Sequence, residues 1–279
     1  MDSVSQLLEL SVELQSTSDS PQLDCELLLC HVLDVDRTWL RTWPDSPVTK
    51  DQKALFDVLL HKRCQGHPIA YLVGSRGFWS IDLKVSSETL IPRPETELIV
   101  ELALNLNFPS HAYGLDLGTG SGAIALALAS ERPDMQWLAV DSQQGAVELA
   151  QTNCDRLKLT NVNVFHSVWF NAMKAPNNRF DLIVSNPPYV AVGDPHLVQG
   201  DVRFEPSSAL VAGVDGLDDI KIIVSQSPAY LNSNGWLLIE HGYNQGQAVS
   251  DLMLATGFSD VFTHQDYNDL DRVTLGQLK

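Results

Sequence analysis

Four consecutive residues, Asn186-Pro187-Pro188-Tyr189, bring together groups that could do chemistry at the end of a predicted strand. Residues 182–184 before them are apolar and partly β-branched, which is typical of a buried strand. Neither proline can donate a backbone N–H, each fixes its own φ at about −65°, and the first pushes Asn186 out of the helical region. The sequence therefore predicts a stiff, extended turn that presents an amide, free carbonyls and an aromatic ring.

Such a turn is suited to methyl transfer onto a planar nitrogen, either a side-chain amide or an exocyclic aromatic amine. The lone pair of this nitrogen is delocalised, so acceptors that bind both N–H groups would help by aiming it along the S–CH₃ bond of a donor. We expect the Asn186 side-chain oxygen and the Pro187 carbonyl to be these acceptors, with Tyr189 against the flat face of the substrate. Positioning can supply about 7–11 kcal/mol of a barrier, and the acceptors favour the positive charge developing on nitrogen. No general base is required, because the proton becomes acidic after methylation.

A glycine-rich loop at residues 118–122, Gly-Thr-Gly-Ser-Gly, follows another predicted strand and precedes a predicted helix. Glycines are needed where the backbone turns tightly and lies against a ligand. The first two glycines together with Ala123 also fit a dinucleotide fingerprint. Asp141 ends the next predicted strand, where an acid can hold two ribose hydroxyls in either kind of site. The loop and the acid together predict a cofactor that contains a nucleoside.

Two observations favour S-adenosylmethionine as that cofactor. Asp116 comes just before the loop, and an acid there suits an ammonium and a sulfonium group better than two phosphates. The Asn-Pro-Pro-Tyr turn, two strands later, favours methyl transfer. An NAD-dependent oxidoreductase remains an alternative only if that turn is accidental, and a tight strand–helix turn without a ligand is the structural alternative for the loop.

Two other side chains have two interpretations each. Trp169 follows a third predicted strand, and it either flanks an adenine ring through its flat face or closes the edge of the domain. Arg93 lies between two prolines in the approach to a predicted helix. It either reaches a ligand or pairs with a nearby carboxylate, and we favour the ion pair.

Composition limits the class of protein. The chain has 279 residues, a formal net charge of −17 and a pI near 4.6, so its surface repels phosphate backbones and we expect no direct binding of nucleic acid. Its four cysteines form no CxxC pair and no metal-ligand spacing with histidine, so we expect reduced thiols and no metal site. No signal peptide or membrane-spanning run is visible. These features predict a globular cytoplasmic protein.

Beyond these residues, the chain resembles the release factor glutamine methyltransferases, the PrmC/HemK family, over nearly its whole length. A predicted helical bundle near the N-terminus, in which Thr49 and Gln52 form a capping box, is part of this likeness. The remaining likeness lies in short stretches at residues 68–72, 78–80, 90–97, 118–122, 185–190, 200–206 and 240–242. The stretches at 91–97 and 203–206, together with the N-terminal bundle, are the most particular to the family.

The resemblance implies a role for each site residue. The cofactor would be S-adenosylmethionine, with S-adenosylhomocysteine as product, and Asn186 would touch both cofactor and substrate. Trp169 would flank the adenine, although Val168 stands where the family usually has Asp, which removes a possible polar contact to the adenine amino group. The remaining cofactor contacts would be Gly118, Thr119, Gly120, Ser121 and Gly122 for the methionine part and Asp141 for the ribose. The substrate glutamine amide would be held by Asn186, Pro187, Pro188 and Tyr189.

The resemblance also implies a fold and a partner. We expect a helical substrate-recognition domain at 1–72, a hairpin linker at 73–88 and a Rossmann-like class I methyltransferase domain at 89–279, with one largely parallel α/β sheet that has an antiparallel strand near its edge. The substrate would be the Gly-Gly-Gln loop of class 1 peptide release factors, and we expect a monomer. The alternatives are an adenine-N6 methyltransferase acting on DNA or RNA, which the net charge disfavours, and a non-catalytic scaffold that binds S-adenosylmethionine.

Overall fold

The computed structural model describes residues 2–174 and 179–279. Two compact units are present. The first contains the chain up to Ser75 together with Pro195–Phe204, and the second contains Arg76–Asp194 and Glu205–Lys279. The domains expected from the sequence were 1–72 and 89–279 with a linker at 73–88, whereas the first unit runs to Ser75 and the second begins at Arg76. In addition, the ten residues Pro195–Phe204, which come after the Asn-Pro-Pro-Tyr turn, pack with the helical unit.

The first unit is helical and surrounds its own apolar core. Its helices are α1 (Val4–Leu8), α2 (Pro21–Leu33), α3 (Arg37–Thr42), α4 (Lys50–Cys64) and α5 (Ile69–Val73), with a 3-10 helix at Glu9–Leu14 between the first two. The capping box predicted at the start of α4 is present, with the Gln52 backbone N–H donating to Thr49 Oγ1 at 3.3 Å. Leu28, Leu29 and Phe56 are completely buried at its centre.

The segment Pro195–Phe204 is held to this unit by charge and ring contacts. The Arg63 guanidinium donates to Asp24 at 2.6 Å and to Asp201 at 3.2 Å, and its side chain is buried. The rings of His67 and Phe204 lie 4.4 Å apart between centroids. His67 therefore has a structural contact.

The second unit contains a two-stranded hairpin and a seven-stranded sheet. The hairpin is β1 (Ser75–Phe78) and β2 (Ile81–Lys84); the sheet contains β3 (Tyr113–Leu117), β4 (Gln136–Asp141), β5 (Val162–His166), β6 (Phe180–Ser185), β7 (Leu231–Glu240), β8 (Phe258–Gln265) and β9 (Asp271–Leu278). Its helices are α6 (Glu97–Asn105), α7 (Ala123–Glu131), α8 (Gln144–Leu157), α9 (Asp218–Gln226) and α10 (Gly246–Ala255).

The strand order across the large sheet is β5-β4-β3-β6-β7-β9-β8. The first five are parallel, and β9 is antiparallel to both of its neighbours, so the expected α/β fold with an antiparallel strand near the edge is confirmed. Apolar clusters cover the sheet, and every residue from Ala123 to Ala129 in α7 is buried. Because β3, β4, β6 and β7 run in one direction, the loops after their carboxyl ends meet at one edge of the sheet. No helix among the described residues is long and apolar enough to span a membrane.

Candidate active site

A cavity of about 240 Å³ lies at this edge of the sheet, and all of its lining residues belong to the second unit. Most of the residues that the sequence predicted for the site line it: Gly118, Thr119, Gly120, Ser121, Asp141, Trp169, Asn186 and Pro188. The other predicted residues, Gly122, Pro187 and Tyr189, are not among the described residues of the lining. The carboxyl ends of four strands, β3, β4, β5 and β6, and the loops after them therefore contribute to one cavity.

Backbone hydrogen bonds fix the glycine loop after β3. The N–H of Gly118 donates to the Val140 carbonyl at 2.9 Å, and the N–H of Gly120 donates to Asp141 Oδ2 at 2.9 Å. Gly118 has a φ of +73°, and a Cβ at this position would lie 3.3 Å from the Trp169 ring. A side chain here would therefore strain the backbone and press on the indole.

Gly122 has a different local reason to be glycine. It precedes α7 with a φ of +88°, and a Cβ there would lie 2.7 Å from Leu126 Cδ1. The close packing of the loop onto the first turn of α7 thus requires glycine whether or not a ligand is bound. A cofactor contact from Gly122 stays a prediction.

Asp141 is the acid at the end of β4. Its Oδ1 accepts from the Gln143 N–H and its Oδ2 from the Gly120 N–H, both at 2.9 Å. Burial raises the pKa of this carboxyl, and the backbone donors oppose that rise. Each carboxylate oxygen has two lone pairs, so each keeps an acceptor position for one of two neighbouring hydroxyl groups.

Trp169 lies against the glycine loop, and its indole N–H faces Asp219. Burial raises the pKa of the neighbouring Asp219 carboxyl, and a hydrogen bond from the Trp169 indole N–H opposes that rise. Asp219 and Val168 also line the cavity. Trp169 packs on the core as well, and its contact with an adenine ring stays a prediction.

The Asn-Pro-Pro-Tyr turn follows β6, and its first residue is fixed through the side chain. Asn186 Nδ2 donates to Thr96 Oγ1 at 3.1 Å, which leaves the amide oxygen free of that bond. Ser185, the last residue of β6, donates its hydroxyl to the Leu117 carbonyl at 2.7 Å and so joins the ends of two strands. Pro187 is buried beneath the turn. Asn186 therefore lies at a rigid strand end on the cavity wall.

Tyr189 is fixed at both of its polar ends. Its hydroxyl donates to Glu240 Oε1 at 3.1 Å, and its carbonyl accepts from Gln245 Nε2 at 3.0 Å. Burial and then the Glu240 charge hold the pKa of this phenol well above its ordinary value, so the hydroxyl stays a donor. Contact of the Tyr189 ring with a substrate stays a prediction.

Asp116 lies completely buried behind the glycine loop. Its Oδ2 accepts from the Thr119 hydroxyl at 2.6 Å and from the Ala125 N–H at 3.3 Å, which joins the loop to α7. Its Oδ1 has no hydrogen-bond partner among the described residues. Burial raises the pKa of this carboxyl to about 7. An acid with an unsatisfied buried oxygen is the kind of group that a nearby cation would stabilise.

Arg93 forms the ion pair that the sequence favoured. Its Nη2 lies 2.7 Å from Oε1 and 2.9 Å from Oε2 of Glu205, whose side chain is fully buried. Arg93 also lines the cavity, so the pair joins two loops at its wall. The ion-pair interpretation is confirmed.

Three residues of this region were not singled out from the sequence: Thr96, Asp219 and Glu240. Glu240 ends β7, which is parallel to β6 with Ile239 opposite Ser185. A polar residue directly after an apolar strand run was the available signal for Glu240, as it was for Asp141. Nothing in the sequence pairs Thr96 with a residue ninety positions away.

The lining fits S-adenosylmethionine. The glycine loop offers close backbone approach, Asp141 keeps two acceptor positions for ribose hydroxyls, and Trp169 presents a flat ring beside them. Asp116 supplies a buried acid behind the same loop. These groups match the nucleoside and the positively charged portions of that molecule.

Comparison with known proteins agrees with this geometry. Residues 7–74 match the family described as PrmC N-terminal domain, and residues 96–200 match the methyltransferase small domain. The 16S rRNA N2 G1207 methyltransferase of T. thermophilus, solved with AdoMet and guanosine, is 22% identical with a TM-score of 0.54, over 74% of this chain and 50% of that chain. At that identity the likeness shows the shared fold.

Curated relatives are similar over nearly the full length. The release factor glutamine methyltransferase of Pseudomonas aeruginosa is 54% identical over 93% of this chain and 94% of its own. That of Vibrio cholerae is 52% identical over 95% of this chain and 92% of its own. The resemblance seen in the sequence is confirmed, and this chain belongs to the release factor glutamine methyltransferase family.

Proposed function

We propose that this protein transfers a methyl group from S-adenosylmethionine to the side-chain amide nitrogen (N5) of the glutamine in the Gly-Gly-Gln loop of class 1 peptide release factors. The observation that supports this most directly is the position of Asn186. It lies on the wall of the same cavity as Asp141 and the glycine loop, with its amide nitrogen bonded to Thr96. Its oxygen is thus available to accept from a substrate amide.

When bound, S-adenosylmethionine supplies an electrophilic methyl group on a sulfonium. Asn186 Oδ1 and the Pro187 carbonyl accept the two N–H groups of the glutamine and orient its nitrogen, and these acceptors stabilise the positive charge that forms there. Pro188 and Tyr189 complete the substrate side of the turn. The transfer would give the N5-methylated glutamine and S-adenosylhomocysteine, and the glutamine nitrogen would release its extra proton to water.

We assign the cofactor side to the same cavity and to the glycine loop beside it. Gly118, Thr119, Gly120, Ser121 and Gly122 would lie along the methionine part, Asp141 would hold the ribose hydroxyls, and Trp169 would flank the adenine. S-adenosylhomocysteine would leave after the transfer. The Asp219–Trp169 hydrogen bond would keep the indole ring in place during this exchange.

The proposal also covers location and partner. We place the protein in the cytoplasm as a monomer that meets release factors directly. A nucleic-acid amine is disfavoured as substrate by the net charge of −17. A non-catalytic scaffold is disfavoured because Asn186 is held ready as an acceptor at the cavity wall.

Labelled S-adenosylmethionine with purified release factors tests the proposal. We expect label in a class 1 release factor and none in its variant with Ala in place of the Gly-Gly-Gln glutamine. DNA and total RNA serve as competing acceptors in the same assay, and we expect no label in either. Equal label in both forms of the release factor, or label in nucleic acid alone, would contradict the proposal.

A further inference from the structure

Arg93 is the only basic residue among the described residues that line the cavity. The other charged lining residues are acids, namely Glu88, Asp141 and Asp219, and Asp116 lies buried behind the glycine loop. A ligand group that carries a negative charge would be repelled by each of these acids, so it requires a cation at the wall. Among the described residues of the lining, Arg93 is the one that can supply this cation.

The ion pair of Arg93 occupies only one of its three side-chain nitrogens. Both contacts with Glu205, at 2.7 Å to Oε1 and 2.9 Å to Oε2, come from Nη2. Nε and Nη1 make no hydrogen bond with any described residue. The Glu205 side chain is fully buried, whereas the Arg93 side chain is 31% exposed. A guanidinium carries five N–H donors, so Arg93 keeps donors for a second acceptor.

Another arginine of the same protein serves two carboxylates at once. Arg63 donates through Nε to Asp24 at 2.6 Å and through Nη1 to Asp201 at 3.2 Å. The guanidinium group is planar and its donors point in several fixed directions, so two acceptors can bind without competing. The pair with Glu205 therefore leaves room for a second carboxylate at Nε and Nη1 of Arg93.

Arg93 lies in a segment that follows the cavity from the glycine loop to Asn186. Near the start of this segment, Thr89 Cβ lies 3.9 Å from the position of a Cβ on Gly120. At its end, Thr96 Oγ1 accepts from Asn186 Nδ2 at 3.1 Å, and the Thr96 N–H donates to the Arg93 carbonyl at 3.1 Å. Along the chain, Arg93 is thus between the contact with the glycine loop and the contact with the Asn-Pro-Pro-Tyr turn.

We propose that Arg93 is a cofactor-binding residue whose guanidinium holds the carboxylate of S-adenosylmethionine, while Glu205 keeps the guanidinium in place. This inference rests on the proposed function only for the identity of the cofactor. That molecule carries an ammonium, a sulfonium and one carboxylate, and the acids at the wall suit the two cations. Arg93 supplies charge-assisted hydrogen bonds to the carboxylate. Because Glu205 fixes the side chain beforehand, less conformational freedom is lost on binding.

Decarboxylated S-adenosylmethionine tests the inference on the wild-type protein, because this compound lacks only the carboxylate. It is more positively charged than the cofactor, so a protein with a net charge of −17 would attract it more strongly if no specific cation were involved. We expect calorimetry to show about 10- to 100-fold weaker binding of the decarboxylated compound. Equal or tighter binding would overturn the inference.

Arg93→Met tests the same contact from the side of the protein. It removes the charge at similar side-chain length, and we expect about 10- to 100-fold weaker binding of both S-adenosylmethionine and S-adenosylhomocysteine, since both carry the carboxylate. Binding of the decarboxylated compound should stay close to that of the wild type, because it has no group for the guanidinium. Equal weakening of all three compounds would contradict the proposed contact.

Arg132→Met is the matched control. The Arg132 side chain is 27% exposed and bonds Asp134 through Nε and Nη2, and Arg132 is not among the described residues of the cavity lining. We expect this variant to bind all three compounds as the wild type does, and the same losses as in Arg93→Met would overturn the inference. Thermal unfolding confirms that each variant is folded, and the comparison of ligands on the wild type needs no variant.

The inference and the proposed function fail in different ways, since calorimetry needs no release factor. If the wild type prefers S-adenosylmethionine to its decarboxylated form but labels no release factor, the proposed function fails and the role of Arg93 stands. If the wild type labels a release factor but Arg93→Met keeps the preference for the carboxylate, only the role of Arg93 fails. A raised KM for the release factor in Arg93→Met, with normal cofactor binding, would place the guanidinium at the substrate instead.

Discussion

At the residue scale, Asn186 combines a fixed nitrogen with an available oxygen, and this asymmetry distinguishes it from an ordinary turn asparagine. The nitrogen is bonded to Thr96, and the residue lines the cavity. Asn186→Ala removes the acceptor and leaves the two prolines in place. The reaction should therefore suffer more than cofactor binding does.

We expect Asn186→Ala to reduce single-turnover methylation at least about 100-fold. The dissociation constant for S-adenosylmethionine, measured by calorimetry, should rise only modestly. Asn163→Ala, on an exposed position of strand β5, is the control and should leave both quantities unchanged. Loss of all cofactor binding in Asn186→Ala would mean that the residue is chiefly a cofactor contact.

Asp141 gives a second prediction at this scale. Its carboxylate accepts from the Gly120 and Gln143 N–H groups, and we propose that it also accepts from the ribose. Asp141→Asn replaces one acceptor oxygen with a donor and removes the charge. Hydrogen bonds to charged groups are worth about 1.5–3 kcal/mol, so the dissociation constant for S-adenosylmethionine should rise about 10- to 100-fold.

Calorimetric titration of Asp141→Asn with S-adenosylmethionine measures this directly. Asp155→Asn removes the same charge from an exposed position in α8 and should bind as the wild type does. If Asp141→Asn binds normally, the ribose contact is wrong and the acid only shapes the glycine loop.

At the scale of elements, the Arg93–Glu205 pair joins the loop before α6 to the segment after Phe204. The Glu205 side chain is fully buried, whereas the Arg93 side chain is 31% exposed. Removal of the guanidinium would take two charge-assisted hydrogen bonds from a buried carboxylate. Such a change is destabilising because the buried charge loses its counter-ion.

We expect Arg93→Ala to lower the free energy of unfolding by about 1–3 kcal/mol, measured by urea denaturation. Arg132→Ala is the matched control, since its partner Asp134 is exposed and such surface pairs contribute about 0–1 kcal/mol. Equal losses in the two variants would show that burial of Glu205 does not govern the strength of its pair.

Some structural features of individual elements could be predicted from the sequence. Local signals were sufficient for the Thr49 capping box and for the strand ends at Asp141 and Asn186. The antiparallel strand near the sheet edge followed from the family resemblance. The first helix is α-helical only to Leu8, and the chain continues directly as a 3-10 helix to Leu14.

Long-range packing set the features that were missed. The segment Pro195–Phe204 joins the helical unit through Arg63 and His67. Contacts between positions more than a hundred residues apart leave no periodicity in the sequence, so pattern reasoning could not place this segment.

At the scale of the whole molecule, the protein keeps buried acids within a chain that already has a formal charge of −17. Asp116 and Glu240 are both completely buried, and burial raises the pKa of each to about 7. Each carboxylate costs folding free energy when ionised in such surroundings. Both lie beside the proposed site. Functional sites are where proteins tolerate a local loss of folding free energy.

The pH dependence of stability follows from the direction of these shifts. Asp116 has a folded pKa of about 7, above the ordinary value of 3.8 for the unfolded chain. Between these values the folded protein holds a proton that the unfolded chain has lost, so this group lowers stability as the pH rises from about 4 to 7. Asp116→Asn keeps an oxygen for the Thr119 and Ala125 bonds and removes the charge.

We therefore expect Asp116→Asn to be more stable than the wild type at pH 8, by about 1–3 kcal/mol, and the difference to shrink toward pH 5. Urea denaturation at the two pH values measures this, with Asp251→Asn on the exposed face of α10 as the control for net charge. The same variant should bind S-adenosylmethionine more weakly, because the acid that costs stability is the one expected to favour the ammonium and sulfonium charges. A variant that is more stable and binds normally would separate the two effects and leave Asp116 with a purely structural role.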